Sequence, residues 1–148
     1  MAEVNEKIDI VADRVTVFNV YVNRIDEWWP RRGDRYRYSF APESTEPAHI
    51  RFEPRAGGRF YEVFEDGSEY DIGSVETYDP PNEFVYTWRA PSWERASRVQ
   101  VRFVQNGDTT TVMVNHTGFP SDDVAEGYGG GLREILGVFA RFVTTEEG

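Results

Sequence analysis

The sequence predicts an α+β protein: a curved antiparallel sheet of six or seven strands, with helices on one side and a long amphipathic helix at the C-terminal end. Three observations carry this prediction. From residue 35 to Thr117, side chains of contrasting character alternate with a period of two. The breaks between these runs are short and carry turn residues, at Asp66-Gly67, Pro80-Pro81-Asn82 and Asn106-Gly107-Asp108, so consecutive strands pair antiparallel. From Tyr128 onward the period becomes 3.6, and helices set to one side of an antiparallel sheet are the α+β arrangement.

Taken in order, Ile8-Asp9-Ile10-Val11 alternates and reads as a short first strand. Asp13 then caps a helix that sets Val15, Phe18, Val22 and Ile25 on one side, although the β-branched run at Val15-Thr16-Val17 also suits a strand. Trp28-Trp29-Pro30 closes this segment, because proline forbids simple continuation of a helix. Strands follow at Tyr36/Tyr38/Phe40, Ile50/Phe52, Phe60/Glu62/Phe64, Tyr70 to Tyr78, Phe84 to Trp88, Val99 to Val104 and Thr110 to Thr117. The last helix carries Tyr128, Leu132, Ile135, Leu136, Phe139, Phe142 and Val143 on one stripe, with Arg133, Glu134 and Arg141 off it. Ser121-Asp122-Asp123 supplies caps, and Asp123 with Glu126 has the spacing of a capping box. Four glycines among Gly127 to Gly131 each cost about 1 kcal/mol inside a helix, which places the helix start near Leu132. The other way to accommodate them is a first turn that closely approaches the sheet or a ligand.

Composition narrows the function classes. The chain has 148 residues, the length of one domain (residues 1–148), and a formal charge of −10 from 26 acidic and 16 basic residues. That charge repels phosphate backbones, so neither nucleic acid nor an anionic membrane surface is an expected partner. No cysteine is present, which removes disulfides and thiolate chemistry. The N-terminal residues show no leader pattern and no run spans a bilayer, so the expected location is cytoplasmic. Aromatic residues make up 15 % of the chain, and so many rings require a bulky core or a lined cavity.

Between Gly57 and Glu76 lie six acidic residues, which invites a catalytic reading. With Asp66-Gly67 at a hairpin tip, direct pairing sets Phe64 against Glu69, Glu62 against Asp71, Phe60 against Gly73 and Gly58 against Val75. Arg59, Tyr61, Val63, Tyr70 and Ile72 then share the other face. Glu65, Asp66, Glu69 and Glu76 read as solvated charge. Glu62 and Asp71, two like charges directly opposite one another, would need a cation, a proton or water between them. His49 and His116 are the only histidines, without further ligands at metal spacing, so no metal site and no cofactor is expected. His116, beside Val112 and Val114, reads as a hydrogen-bonded structural residue. Neither a Gly-x-Ser-x-Gly elbow nor a complete dinucleotide loop is present.

Several segments together have a familiar order: Trp28-Trp29-Pro30, Phe52-Glu53-Pro54-Arg55-Ala56-Gly57-Gly58-Arg59-Phe60-Tyr61-Glu62, Asp66-Gly67-Ser68, Gly73-Ser74-Val75, Asp79-Pro80-Pro81, Phe84-Val85-Tyr86-Thr87-Trp88 and His116-Thr117-Gly118-Phe119. In that order they resemble the START-like (SRPBCC, Bet v-type helix-grip) superfamily, and within it the branch named for the activator of Hsp-90 ATPase. The resemblance covers nearly the whole chain. It implies a seven-stranded sheet wrapped around the long C-terminal helix, two short helices near the N-terminus and a cavity between sheet and helix. It also implies that the Phe60/Glu62/Gly73/Val75 face is the inner one. By this carry-over Trp28, Trp29, Phe52, Phe60, Glu62, Asp71, Trp88, His116 and Tyr128 are the ligand-binding candidates.

Members of the superfamily include lipid and hormone binders, polyketide cyclases and aromatases, and co-chaperones. Three functions are therefore expected to compete. The leading one is binding of a small hydrophobic or aromatic ligand beneath the last helix, without catalytic residues. The second is a cyclase or hydrolase with Glu62 or Asp71 as general base and His116 as acid. The third is a co-chaperone or interaction role on the acidic surface. It is weakened because activators of that chaperone carry a separate N-terminal domain for which this chain has no room. A homodimer is left open.

Overall fold

The computed structural model describes residues 2–30 and 38–147. Its sheet strands are β1 (Val4–Ile10), β2 (Pro47–Phe52), β3 (Arg59–Phe64), β4 (Glu69–Asp79), β5 (Glu83–Trp88), β6 (Ser97–Asn106) and β7 (Thr109–Thr117). They form a seven-stranded sheet in the order β1-β7-β6-β5-β4-β3-β2, antiparallel throughout. Helices α1 (Arg14–Asn23) and α2 (Ile25–Trp28) follow β1, and α3 (Asp122–Phe142) follows β7, with a π-helical turn at Val143–Glu147. The predicted α+β helix-grip architecture is the observed one.

Strand alternation works as the period of two requires. On β6, Val99, Val101 and Phe103 are buried while Arg98 and Arg102 point outward, and on β7 the buried set is Thr110, Val112, Val114 and His116. Tyr36 of the expected strand before β2 lies outside the described residues, and Tyr38 to Phe40 are not in a strand. They instead run beneath α3, with Tyr38 N–H donating to the Pro30 carbonyl.

The β3–β4 hairpin corrects the expected register. Phe60 does oppose Gly73, but beyond it Tyr61 opposes Asp71, Glu62 opposes Tyr70 and Val63 opposes Glu69. Ile72 is the extra residue of a β-bulge, and a one-residue slip exchanges the two faces. Ile72 and Tyr70 therefore turn inward, whereas Asp71 turns outward and pairs with Arg59 at 2.6 Å. Glu62 and Asp71 never face each other. The inner face of β3 is the expected one, with Phe60, Glu62 and Phe64 all buried. A second bulge in β4, between Val75 and Thr77, bends the sheet further. Gly73 sits in the bend: a Cβ there would lie 1.9 Å from the Thr87 carbonyl oxygen. At the hairpin tip Gly67 takes φ +88°, the conformation that a tight turn requires and glycine adopts freely.

Asp13 caps α1, its carboxylate accepting from Thr16 N–H at 2.8 Å. Of the expected stripe, Phe18, Val22 and Ile25 are buried and only Val15 is not. Val17, Val20 and Tyr21 are buried as well, while Val15, in the first turn, is 65 % exposed. α3 begins well before Leu132. Ser121 is its N-cap, accepting from Val124 N–H, and Asp122 and Asp123 lie in the first turn, where the helix dipole favours negative charge. The glycine run lies inside the helix, offset by packing of Val124, Ala125 and Tyr128 against Val4, Trp93 and Phe119. Farther on, Phe139 is wholly buried between Tyr21 and Trp28, at ring distances of 5.3 and 4.7 Å. Burial of Ile135, Leu136 and Phe139 contributes roughly 1.5–3 kcal/mol each and holds α3 in the curl of the sheet.

Two substitutions check this account by thermal unfolding. Gly130 is exposed with open space at its Cβ position, so Gly130→Ala raises Tm by about 2–4 °C, corresponding to about 1 kcal/mol. Gly73→Ala has no room beside Thr87 and prevents cooperative folding or lowers Tm severely.

Candidate functional site: a ring-lined cavity under the C-terminal helix

Between the concave face of the sheet and the first half of α3 lies a cavity of about 540 Å³. Its floor is Tyr21 of α1, Tyr86 and Trp88 of β5, Val99 of β6, and Val114 and His116 of β7. One side is Trp29 with Tyr38, Ser39 and Phe40, the other is Trp93, and the roof is Asp123, Val124, Gly127, Tyr128, Gly131, Leu132 and Ile135 of α3. The volume lies within the range of small-molecule sites, and the walls combine rings with a few polar groups.

Trp88 is at the centre of the ring network. It packs against Trp29, Phe40, Phe60 and Tyr128 with centroid separations of 6.0, 5.4, 5.9 and 6.1 Å, and its Nε1–H donates to the Tyr128 hydroxyl at 3.0 Å. Trp29 is fixed by donating Nε1–H to the Tyr38 carbonyl at 2.8 Å, which ties the end of α2 to the cavity wall. Burial raises the pKa of Tyr128, as it does for Tyr21, pushed up to about 12, and Tyr86. Tyr21 and Tyr86 share a hydroxyl–hydroxyl hydrogen bond of 2.9 Å.

His116 is held from behind. Ser97 Oγ lies 2.6 Å from His116 Nε2 and donates to the Trp88 carbonyl at 2.8 Å. A serine hydroxyl has one proton, so Nε2–H of His116 must be the donor to Ser97, which makes the ring the Nε2–H tautomer with a lone pair on Nδ1. Burial pushes the His116 pKa down to about 4, so the ring is neutral at neutral pH and cannot serve there as a general acid.

Of the residues expected from sequence, Trp29, Trp88, His116 and Tyr128 line the cavity. Trp28, Phe52 and Phe60 do not: Phe52 and Phe60 stack on each other at 4.2 Å in the core, and Trp28 donates its Nε1–H to the Val20 carbonyl. Glu62 is buried beside the cavity, not on its wall. Its carboxylate accepts from Ser39 Oγ and from Phe40 N–H at 2.9 Å, and so positions two residues that are on the wall. Asp71 is on the outer face with Arg59 and Glu69. His49 bonds Asp26 at the surface, and among the described residues no group of histidine and carboxylates could hold a metal. Tyr86, two residues before Trp88 on one strand, carried a usable signal that sequence reading missed. Tyr21, one helical turn beyond Phe18, carried another. Trp93 lies in a loop and carried none.

Two outcomes test this geometry. His116 binds its proton less readily when folded than when unfolded, so its contribution to stability is whole above about pH 6.5 and is lost as the pH falls through about 4. Urea unfolding at pH 7 and pH 5 is expected to show a larger loss in wild type than in His116→Gln; equal losses would contradict the buried neutral ring. Glu62→Ala leaves the Ser39 hydroxyl and the Phe40 N–H without this acceptor, at a cost on the order of 1–3 kcal/mol. Chemical denaturation measures that cost, and no change would show that the carboxylate holds nothing.

Comparison with known proteins agrees with this architecture. The family described as activator of Hsp90 ATPase homolog 1-like protein matches residues 12–144. No curated protein matches the chain significantly. Among solved structures, one described as an anthrahydroquino-gama-pyrone synthase complexed with SUM is 32 % identical, with a TM-score of 0.54 over 79 % of this chain and 77 % of that one. A protein of the dynemicin biosynthetic locus is 16 % identical with a TM-score of 0.73, over 97 % of this chain and 48 % of that one. A Chromobacterium violaceum protein is 15 % identical with a TM-score of 0.73, over 97 % of this chain and 98 % of its own. At those identities the last two show the fold alone. Among the described residues no helix is long and apolar enough to cross a membrane. The match over residues 12–144, together with the gripped helix and seven-stranded sheet, makes this chain a member of the activator of Hsp90 ATPase homolog 1-like family.

Proposed function

We propose that the protein binds a planar aromatic small molecule in the cavity beneath α3. The observation that carries this is the cavity's wall of Trp29, Phe40, Trp88, Trp93 and Tyr128, rings that offer flat faces and edges to a flat ligand. Burial of ligand and ring surface supplies affinity at roughly 25 cal/mol per Å² of apolar area. The relative that is 32 % identical, an anthrahydroquino-gama-pyrone synthase, supports a fused-ring ligand of the polyketide type.

That likeness also favours a second reading, in which the cavity orients such a molecule for ring closure. The machinery expected for it, Glu62 or Asp71 as base with His116 as acid, is not assembled: Asp71 is on the far face and His116 is neutral. Turnover would have to rest on positioning and on the tyrosine hydroxyls.

Titration with 1,8-dihydroxyanthraquinone, followed by tryptophan fluorescence, tests the binding reading. Saturable quenching at one ligand per chain is expected. Trp88→Ala should weaken it by about tenfold, and Asp71→Asn should leave it unchanged. Quenching that does not saturate, or that is insensitive to Trp88→Ala in a folded variant, would overturn it. Mass analysis of the incubated ligand separates binding from conversion.

A further inference from the structure

The ring of Tyr21 packs against Trp28, Phe103 and Phe139, and that of Tyr86 against Phe52, Phe60 and Phe84. None of these partners lines the cavity, yet both tyrosines do. The part of each that reaches the cavity is therefore its hydroxyl end, where the two oxygens meet at 2.9 Å. Two phenols carry two protons, and their mutual bond uses one. The other has no acceptor among the described residues, although both side chains are at most 3 % exposed. A buried donor without an acceptor is costly, and the space it faces is where its acceptor belongs.

We propose that the Tyr21–Tyr86 pair is the oxygen-recognition subsite of the cavity and donates its spare proton to a ring carbonyl of the bound ligand. This rests on the aromatic-binding reading above and narrows it to aryl ketones and quinones over plain fused hydrocarbons. Both phenols remain protonated through the neutral range, since burial raises both pKa values, so the donor is permanent. Either hydroxyl can be the one that donates outward, because the mutual bond runs in either direction. Loss of one tyrosine leaves the other free to donate directly. The subsite therefore fails only when both are removed.

The test compares 9,10-anthraquinone with anthracene, which has the same fused-ring skeleton without oxygen, by calorimetry or fluorescence on wild type, Tyr21→Phe, Tyr86→Phe and the double variant. The expected result is that the double variant loses about tenfold in affinity for anthraquinone and nothing for anthracene, while each single variant keeps most of its quinone affinity. Retained anthracene binding shows that the double variant still folds. Unchanged quinone affinity in the double variant, or equal losses for the two ligands, would overturn the subsite. Wild type that binds neither ligand would instead overturn the aromatic-binding reading itself. A measurement free of any variant is the infrared carbonyl stretch of bound anthraquinone. It should move below its position in an apolar solvent, and an unshifted band would contradict the hydrogen bond.

Discussion

Where a side chain on residue 73 would go, the carbonyl of Thr87 already lies. This close approach of β4 to β5, together with the bulges that add Ile72 and Glu76 to β4, closes the angle of the sheet. A flatter sheet would offer α3 a plane to lie on and leave no volume between them. The curl lets the second half of α3 seat Ile135, Leu136 and Phe139 in the core, while the first half, with its glycines, stands off and roofs the cavity. One backbone constraint in the middle of the sheet thus produces both the grip and the cavity.

The chemistry of the cavity is as uniform as its shape. Most of its polar groups are phenols, indole N–H groups and a neutral imidazole, and several are fixed by partners: Tyr38 for Trp29, Ser97 for His116, Tyr128 for Trp88, and Tyr21 and Tyr86 for each other. Asp123, at the exposed start of α3, is the only carboxylate on its wall among the described residues. The buried Glu62 is not on the wall but anchors its Ser39–Phe40 segment. Such a lining suits the proposed binding of a molecule through hydrogen-bond donation. His116, neutral at neutral pH, is not a general acid there.

Most of the fold was legible in the sequence because sheet pairing and helix stripes follow periodicity, and turns follow a few residue types. Phe60 and Val101 on their strands, and Phe139 on the last helix, are buried as their periods require. What escaped was whatever depends on a single inserted residue or on distant packing. The bulge at Ile72 leaves no mark in an alternating pattern, and it carried Asp71 to the wrong face. The start of α3 was masked by helix-weakening glycines whose cost is met by packing against Trp93, remote along the chain, and against Phe119, just ahead of the helix. The site was half legible for the same reason. Trp29, Trp88, His116 and Tyr128 were reached through the family resemblance, and nothing local separates a ring that fills the core, such as Phe52, from one that walls a cavity, such as Trp93.

The central claim is that the space under α3 receives a flat ligand against Trp88. The most direct measurement is a crystal structure of the protein grown with 1,8-dihydroxyanthraquinone. The account predicts ligand density between Trp88 and the Leu132–Ile135 face of α3, with one ligand oxygen in hydrogen-bonding contact with Tyr21 or Tyr86. A cavity filled by the protein's own side chains, or a ligand seated elsewhere on the molecule, would contradict it.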